Sequence, residues 1–523
     1  MNPGWPRVQP VGDRAVTVEL GPSLDEETVG RVRALDDRLR ERGVPGILET
    51  VPAYASLLVL YDPDRLAFAE IKSLLLELGC YLRAATHTHR LVEIPTLYDG
   101  QDLDDVAGAC GLHRGDVIEL HSSVEYRVLM LGFSPGFGYM GFVDERLRVP
   151  RRKTPRTRVP AGSVAVAGAQ TGVYPRALPG GWNLLGRSSL TLFDPGSRDP
   201  SVLAPGDRVR FVSVASLQAP EPVRRSSLST GRGVRVLDPG LLTTVQDAGR
   251  AGLRRLAVPL AGYADRGAAE DANRCVGNRP GSPVIELCGP GMRLAFDKAS
   301  LIAITGARVT ATLQRGDQVS GPMSVPMNVS VRVRPTNVLT IEGLAGGARG
   351  YVAIAGLDAP RVLGSASTDL GSGFLRPLEN GDELTVSVFD SERALRDPIV
   401  PTRHSDVVRV ILGPQADHFD PSVIETFLRR SWQVGLDTDR VGARLDGERL
   451  THCGPREIVS DGMVPGCIQV PPDGRPIVML SDCPTTGGYP KIACVVSQDL
   501  PVIAQAIPGR TEIRFVSVEI EKL

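Results

Sequence analysis

Carboxylate, amide and hydroxyl side chains cluster in a turn-rich segment near the end of the chain, residues 460–490. Carboxylates beside hydroxyl groups can activate a nucleophile or orient an amide. Asp482 is the leading candidate for catalysis, because Asp461 and Asp473 each precede a glycine and Asp-Gly is an ordinary turn dipeptide. The other candidates in this segment are Gln469, Thr485, Thr486 and Tyr489.

A glycine-rich turn follows a predicted strand in residues 121–142, HSSVEYRVLMLGFSPGFGYMGF. Such a turn allows backbone N–H groups to converge on a small anionic or carbonyl ligand. We therefore take Gly136, Phe137 and Tyr139 as candidate binding residues. A tight barrel corner plugged by aromatic side chains explains the same composition equally well.

Polar and aromatic residues are also concentrated around three glycines in QTGVYPRALPGGWNLLGR, residues 170–187. Many hydrogen-bonding side chains on a rigid loop favour recognition of a polar, amide-like group. The alternative is a tryptophan core with polar residues at the surface. The candidates here are Gln170, Tyr174, Asn183 and Arg187, with Trp182 beside them.

Two shorter motifs supply further candidates in the middle of the chain. TVQDAGRAG at 244–252 offers Gln246, Asp247 and Arg250, and ANRCVGN at 272–278 offers Asn273 and Asn278. Side chains of these types also bond to nearby backbone in turns, so loop scaffolding is the alternative.

Length and composition limit the class of protein. At roughly 150 residues per domain, 523 residues predict about three to four domains. A net charge of −1 argues against nucleic-acid binding, and the absence of long apolar runs argues against a membrane-spanning or secreted protein. Eight cysteines without zinc-type spacing predict a reduced, cytoplasmic protein.

Several common sites have no sequence signature here. No P-loop, Rossmann, nucleophile-elbow or HExxH motif occurs. His87 and His89 would share one face of a strand, but no third ligand lies nearby, so no metal site is predicted. Cys483 lacks a neighbouring base and is expected to be a small buried thiol.

The elements that would position these residues are mainly β, with an α+β domain at the N-terminus. LDEETVGRVRALDDRLRERG at 24–43 has helical spacing, whereas the later sequence consists of short strands broken by Gly and Pro. Three related β modules are indicated by repeated strings, such as VRFVSV at 209–214 and IRFVSV at 513–518. The predicted division is an α+β domain at 1–85, a first module at 86–214, a linker at 215–233, a second module at 234–390 and a third at 391–523.

Motifs from both halves carry a family resemblance. GFSPGFGYMG, VPAGSVAVAGAQTGVYP and PGGWNLLGR resemble the B subunit of ATP-hydrolysing 5-oxoprolinase, also known as allophanate hydrolase subunit 1. LLTTVQDAGR, ANRCVGN, TDRVGARLDG and TTGGYP resemble the C subunit, known as allophanate hydrolase subunit 2 or biotin-dependent carboxyltransferase. The resemblance covers about residues 8–520 and implies a fusion of two subunits with three cyclophilin-like β-barrel modules.

The resemblance also implies an activity. The chain would open 5-oxo-L-proline to L-glutamate with ATP and a LamB/YcsF-type A subunit, without which it is expected to be inactive. Under this hypothesis Gln170, Asn183 and the backbone of residues 132–138 orient the lactam. Arg187, Arg250 and Arg440 balance phosphate charge, while Asp482 and Tyr489 manage protons.

Other functions stay open at this point. The runner-up is the carboxyltransferase part of a urea carboxylase, with biotin arriving on another chain because no lysine lies in a Met-Lys-Met string. A histidine-kinase inhibitor is the third reading, and it leaves the second half unexplained. Two departures from the resemblance, AGYAD at 261–265 and Ala366 in GSASTDL, leave the substrate undecided, and the sequence leaves a homo-oligomer undecided too.

Overall fold

The computed structural model describes residues 5–80, 82, 90–218, 233–316, 321–388, 391–395, 397–400 and 405–522. Residues 219–232 of the predicted linker lie outside the described residues, as do His87 and His89, and Gly233 already begins a strand. The described chain is mainly β with few helices, which confirms the predicted composition of the fold.

The N-terminal unit is a four-stranded antiparallel sheet, in the order β1-β2-β4-β3, with two helices. Helix α1 begins where the Asp25 carboxylate accepts the N–H of Thr28 at 2.8 Å, and it ends at Gly43, whose φ is 55°. The elements are β1 Arg7–Pro10, β2 Ala15–Glu19, α1 Glu26–Arg42, β3 Ile47–Pro52, β4 Ser56–Tyr61 and α2 Phe68–Cys80.

A seven-stranded sheet with barrel-like closure follows, in the order β12-β9-β10-β7-β6-β13-β5. Strands β5 and β13, the first and last of this sheet in the sequence, pair in parallel. Leu97, next to β5, and Arg187 of β12 join the two edges of the sheet by reciprocal backbone hydrogen bonds of 2.9 Å. The elements are β5 Leu91–Thr96, α3 Leu103–Cys110, α4 Arg114–Ser122, β6 Glu125–Leu131, β7 Gly138–Gly141, β8 Arg156–Val159, β9 Ser163–Ala167, β10 Gln170–Val173, β11 Leu178–Gly180, β12 Asn183–Arg187 and β13 Arg208–Ser213. Strands β8 and β11 form a separate ladder.

The next unit is a ten-stranded sheet built around two long paired strands, β18 and β21. Valine, leucine and isoleucine side chains fill its core, and helix α5 packs against both long strands. The elements are β14 Gly233–Pro239, β15 Thr243–Gln246, α5 Arg266–Val276, β16 Val284–Leu287, β17 Met292–Phe296, β18 Ser300–Gln314, β19 Met323–Ser324, β20 Val331–Val333, β21 Val338–Ile354, β22 Leu357–Asp358 and β23 Glu383–Val386.

The last unit is a closed barrel in the order β24-β31-β28-β29-β26-β25-β32. Its elements are β24 Val407–Leu412, α6 Pro421–Arg429, β25 Ser431–Thr438, β26 Gly442–Asp446, β27 Asp461–Gly462, β28 Cys467–Gln469, β29 Ile477–Met479, β30 Thr486–Gly487, β31 Lys491–Val495, α7 Leu500–Ala504 and β32 Glu512–Ser517. The repeated strings VRFVSV and IRFVSV overlap β13 and β32, each of which pairs in parallel with the first strand of its unit. In the middle unit β23 pairs antiparallel with β14, so that sheet closes differently.

The N-terminal unit links the first and last barrels. Tyr54 and Val29 pack with Leu129 and Met130 of the first barrel. On another side, a cluster of buried apolar residues joins the N-terminal sheet to the last barrel: Val11, Ala15, Val51 and Leu58 pack with Met463, Val464, Cys467, Met479, Cys483 and Cys494. The two ends of the sequence therefore share a core.

Candidate active site at the junction of the modules

The loop between β6 and β7 of the first barrel has a strained backbone. Phe133 has a φ of 67° and Gly136 a φ of 81°, and a Cβ added to Gly136 would lie 2.8 Å from Cβ of Phe193. Among the described residues, the N–H groups of Phe133 and Gly136 have no hydrogen-bond acceptor. The loop therefore holds two amide donors that a ligand can use.

Aromatic side chains form the wall behind this loop. The ring of Phe137 lies 4.8 Å from Tyr139, 5.4 Å from Tyr174 and 5.6 Å from Trp182, between ring centroids. Gln170 donates its amide N–H to the hydroxyl of Tyr54 at 2.6 Å. Burial raises the pKa of Tyr139 to about 12, so this phenol stays protonated at neutral pH.

The first barrel meets both C-terminal modules, the last barrel through this loop and the middle unit through Arg176 and Phe193. A Cβ added to Gly132 would lie 2.5 Å from Oγ1 of Thr486 in the last barrel. Arg176 donates to the backbone carbonyl of Gly371 in the middle unit, and Phe193 lies 6.0 Å from Phe374 there. Candidate residues that are far apart in sequence are thus brought to one junction.

A cavity of about 310 Å³ lies between the middle unit and the last barrel. Arg440 and Asp482 both line it, and Arg440 donates two hydrogen bonds of 2.9 Å to the two carboxylate oxygens of Asp482. Arg440 also donates to Glu286 and to the carbonyl of Gly262. Its donors are therefore committed to partners within the protein.

Asp482 is the carboxyl group in this cavity suited to proton transfer. Burial raises its pKa to about 6, against the opposing effect of Arg440, and the nearby charges of Asp369 and Glu286 raise it further. A carboxyl group that titrates near neutral pH beside a cavity can act as a general acid or base.

Asp247 organises the loops next to this cavity. Its carboxylate accepts hydrogen bonds from the hydroxyls of Ser365 and Ser367, at 2.5 and 2.6 Å, and from the N–H of Ala366 at 2.7 Å. Arg250 donates to the carbonyl of Ser367 at 2.5 Å.

In the described part of the chain, buried polar atoms without a hydrogen-bond partner include Ser134 Oγ, Gln246 Oε1, Arg250 Nη1, Asp369 Oδ2 and Thr485 Oγ1.

Four predicted residues have their hydrogen-bond or ion-pair partners within their own module. Arg187 is exposed and pairs with Asp99 at 2.9 Å, and Asn183 donates to the carbonyl of Pro150. Asn278 donates its amide N–H groups to Asn273 and to the carbonyl of Ile354, and it accepts the N–H of Gly356. Gln469 donates to the backbone carbonyl of Tyr489. These contacts hold the loops and strands of each module in place.

Sequence reasoning missed two buried carboxylates of the junction, and a third carboxylate, placed below Asp482 as ordinary turn chemistry, lies at the interface of the N-terminal unit and the last barrel. Glu286 is fully buried in β16. In the sequence it is the single charged residue of the otherwise apolar run Val284–Leu287, and this pattern could have identified it. Asp369 has no comparable signal. Asp461, interpreted as turn chemistry, pairs with the ammonium group of Lys491 at 2.7 Å and accepts from Ser56 of the N-terminal unit.

Neither a metal centre nor a membrane-spanning helix is found among the described residues. They contain no group of three or more His, Cys, Asp and Glu side chains arranged to hold a metal ion. No helix in the described ranges is both long and apolar enough to cross a membrane. Cys483 is buried and its thiol pKa is raised to about 12 by burial, as expected for an inert thiol.

The fold and the site define a chain with two carboxyltransferase-type parts. The carboxyltransferase domain, subdomains C and D, matches residues 6–203, and the carboxyltransferase domain, subdomains A and B, matches residues 256–517. The chain belongs to this carboxyltransferase-domain family, and it is similar to the B and C subunits of 5-oxoprolinase.

Individual relatives confirm the resemblance seen in the motifs. The chain is 45% identical to the B subunit of 5-oxoprolinase from Escherichia coli O157:H7, over 39% of this chain and 93% of that protein. It is 35% identical to the C subunit of 5-oxoprolinase from Escherichia coli (strain K12), over 55% of this chain and 92% of that protein. Urea amidolyase of Saccharomyces cerevisiae is 30% identical over 55% of this chain but only 17% of its own length.

One solved structure matches nearly the whole chain. The crystal structure of TTHA0988 is 37% identical, has a TM-score of 0.86, and covers 96% of this chain and 100% of its own. The arrangement of both parts in a single chain therefore has a structural precedent.

Proposed function

We propose that this chain is the joined B and C component of an ATP-dependent 5-oxoprolinase. Together with a LamB/YcsF-type A subunit it opens 5-oxo-L-proline to L-glutamate. One observation carries the proposal: the loop at residues 132–137 from the B-like part lies against Thr486 of the C-like part, four residues after Asp482, which lines the cavity. Both separate subunits match over more than nine-tenths of their length.

Lactam opening needs help because amide resonance makes the carbonyl carbon a poor electrophile. ATP transfers its γ-phosphoryl group to the lactam oxygen, on this chain or on the A subunit, and releases ADP, so that water can attack the activated ring carbon. The C–N bond then breaks, and hydrolysis of the resulting acyl phosphate releases phosphate and glutamate. The amides of Phe133 and Gly136 and the unpartnered Nη1 of Arg250 are the donors here that fit a negative charge. Asp482, with a pKa of about 6, takes a proton from the attacking water, and the ring nitrogen gains a proton as the C–N bond breaks.

The division of the chain follows from this proposal. Residues 1–85 and 86–214 form the B-like part, residues 215–233 are the linker, and 234–390 and 391–523 form the C-like part. We assign a cyclophilin-like barrel to each of the three modules. The linker would replace association of two chains by a high local concentration. Eight free cysteines support a reducing, cytoplasmic location.

A second candidate is the carboxyltransferase step of a urea carboxylase. The similarity to urea amidolyase favours it, and the same cavity would bind a small amide. Biotin would then be carried by another chain. The third reading, a histidine-kinase inhibitor, gains no support from the relatives named above.

A reconstitution assay separates the candidates. The chain, a LamB/YcsF-type A subunit and ATP are mixed with 5-oxoproline, and glutamate is measured. We expect glutamate only when all components are present. Absence of glutamate, together with transfer of carboxylate from carboxybiotin to urea, would reverse the assignment.

A further inference from the structure

A second cavity, of about 540 Å³, lies between the N-terminal unit and the last barrel. Its walls come from three parts of the chain: the N-terminal unit, through the β1–β2 turn with Ala15 and through Leu60 of β4, the segment 254–266, and the last barrel. Asp13 fixes the turn by accepting hydrogen bonds from Ser497, at 2.9 Å from its N–H and 2.5 Å from its hydroxyl. None of the residues that line this cavity lines the one with Asp482.

Arg254 lines this cavity and is only 2% exposed. Its Nε lies 3.6 Å from Oε2 of Glu49, and its side chain also contacts the thiol of Cys483. Its Nη1 has no hydrogen-bond partner in the described part of the chain. The hydroxyl of Ser481, which lines the same cavity, has none either. A buried guanidinium donor without an acceptor is costly, and an anionic ligand would satisfy it.

The cavity is basic at the edges and aliphatic elsewhere. Arg266 adds positive charge to that of Arg254, whereas Arg14 Nε lies 3.9 Å from Oδ2 of Asp13, so that these two charges offset each other. The remaining walls are largely apolar and include Val11, Leu60, Leu260, Val464 and Leu480. A ligand that fits has one anionic group and a compact apolar body.

We propose that this cavity is a binding site for a small organic carboxylate, held by Arg254 and Ser481 with its apolar body against the aliphatic walls. The site needs both halves of the chain, because Arg254 and Ser481 follow the linker and the β1–β2 turn precedes it. The proposal does not depend on the 5-oxoprolinase reaction.

Calorimetric titration of the full chain with cyclopentanecarboxylate tests this. We expect binding of the acid, and at least 10-fold weaker binding of the neutral isostere cyclopentanecarboxamide. Arg254→Gln should weaken binding of the acid at least 10-fold, because it removes the charged donor. The matched control is Arg255→Gln: Arg255 pairs with Asp36 at 3.6 Å and does not line the cavity, so its loss should leave affinity unchanged.

A second variant covers the case in which Arg254→Gln fails to fold. Ala264 lines the cavity, and Ala264→Leu fills space there while keeping Arg254 in place, so it should also abolish binding. No binding of the acid to the unmodified chain, equal binding of the amide, or full affinity in Ala264→Leu would overturn the proposal.

Discussion

Asp482 combines the two properties of a proton-transfer group, access to a cavity and a pKa near neutral. Replacing it by Asn keeps the shape but removes the titration, so we expect glutamate release by the reconstituted enzyme to fall about 100-fold or more. Asp473→Asn is the control, because Asp473 lies in an exposed turn. The unmodified enzyme should also lose activity as the pH falls through about 6. Equal activity of both variants would remove Asp482 from the mechanism.

Glu19 gives a prediction about stability. Burial and the charge of Asp461 raise its pKa to about 7, although Arg7 and Lys491 oppose the shift and Asp417 adds to it. A carboxyl group whose pKa is raised by folding stabilises the fold while protonated, and this contribution is lost as the pH rises from about 4.5 to about 7. Glu19→Gln should therefore be more stable than the unmodified chain at pH ~8, by about 2–3 kcal/mol, and equally stable at pH ~4.5.

Urea unfolding at both pH values measures this difference. Glu26→Gln serves as the control, since Glu26 is exposed on α1. If Glu19→Gln differs from the unmodified chain by the same free energy of unfolding at both pH values, the raised pKa of Glu19 is contradicted.

Residue types predicted part of the site and missed the rest for a physical reason. Asp482 and Arg250 lie in loops and Thr486 in the short strand β30, all within turn-rich segments whose polar composition marks them in the sequence. The role of Asp461 depends on Ser56 and Lys491, which lie far from it in sequence, so only folding brings its partners together. Local turn chemistry is therefore a poor guide to carboxylates at module interfaces.

At the scale of elements, the loop between β6 and β7 depends on Gly136. An alanine there must adopt a φ of 81° and must also displace Phe193, whose Cβ would be 2.8 Å away. We expect Gly136→Ala to destabilise the protein by about 2–4 kcal/mol and to lower glutamate release. Gly168→Ala is the matched control, with a φ of 57° but open space around the new methyl group, and it should cost about 1 kcal/mol. Equal costs in urea unfolding would show that the Phe193 contact is unimportant.

Elements were predictable where their signals are local. The helix expected at 24–43 is observed at Glu26–Arg42, because its cap and its glycine stop lie within the sequence window. The repeated closing strands were also recognisable. Their pairing was not, since β13 and β32 run parallel to distant first strands whereas β23 runs antiparallel to β14. Pairing direction is a long-range property that repeat similarity does not encode.

At the scale of the whole molecule, a buried polar cluster fastens the N-terminal unit to the last barrel. Asp461 lies at its centre and pairs with Lys491, and both side chains are less than one-tenth exposed. Thr17 and Ser56 donate to the same carboxylate from the other side of the interface. The cluster combines a pair within the C-like part with hydrogen bonds from the B-like part.

This arrangement predicts that the two parts bind each other without the linker. Separately produced chains of residues 1–218 and 233–523 should associate one to one, as the separate subunits of relatives suggest. Ser56→Ala removes a hydrogen bond to a buried carboxylate, a loss of about 1.5–3 kcal/mol, and should weaken association about 10- to 100-fold. Ser23→Ala, in an exposed position where the hydroxyl bonds only to Asp25, should leave it unchanged. Calorimetry on the two chains measures both effects. Unchanged affinity in Ser56→Ala would mean that the apolar contacts alone hold the parts together.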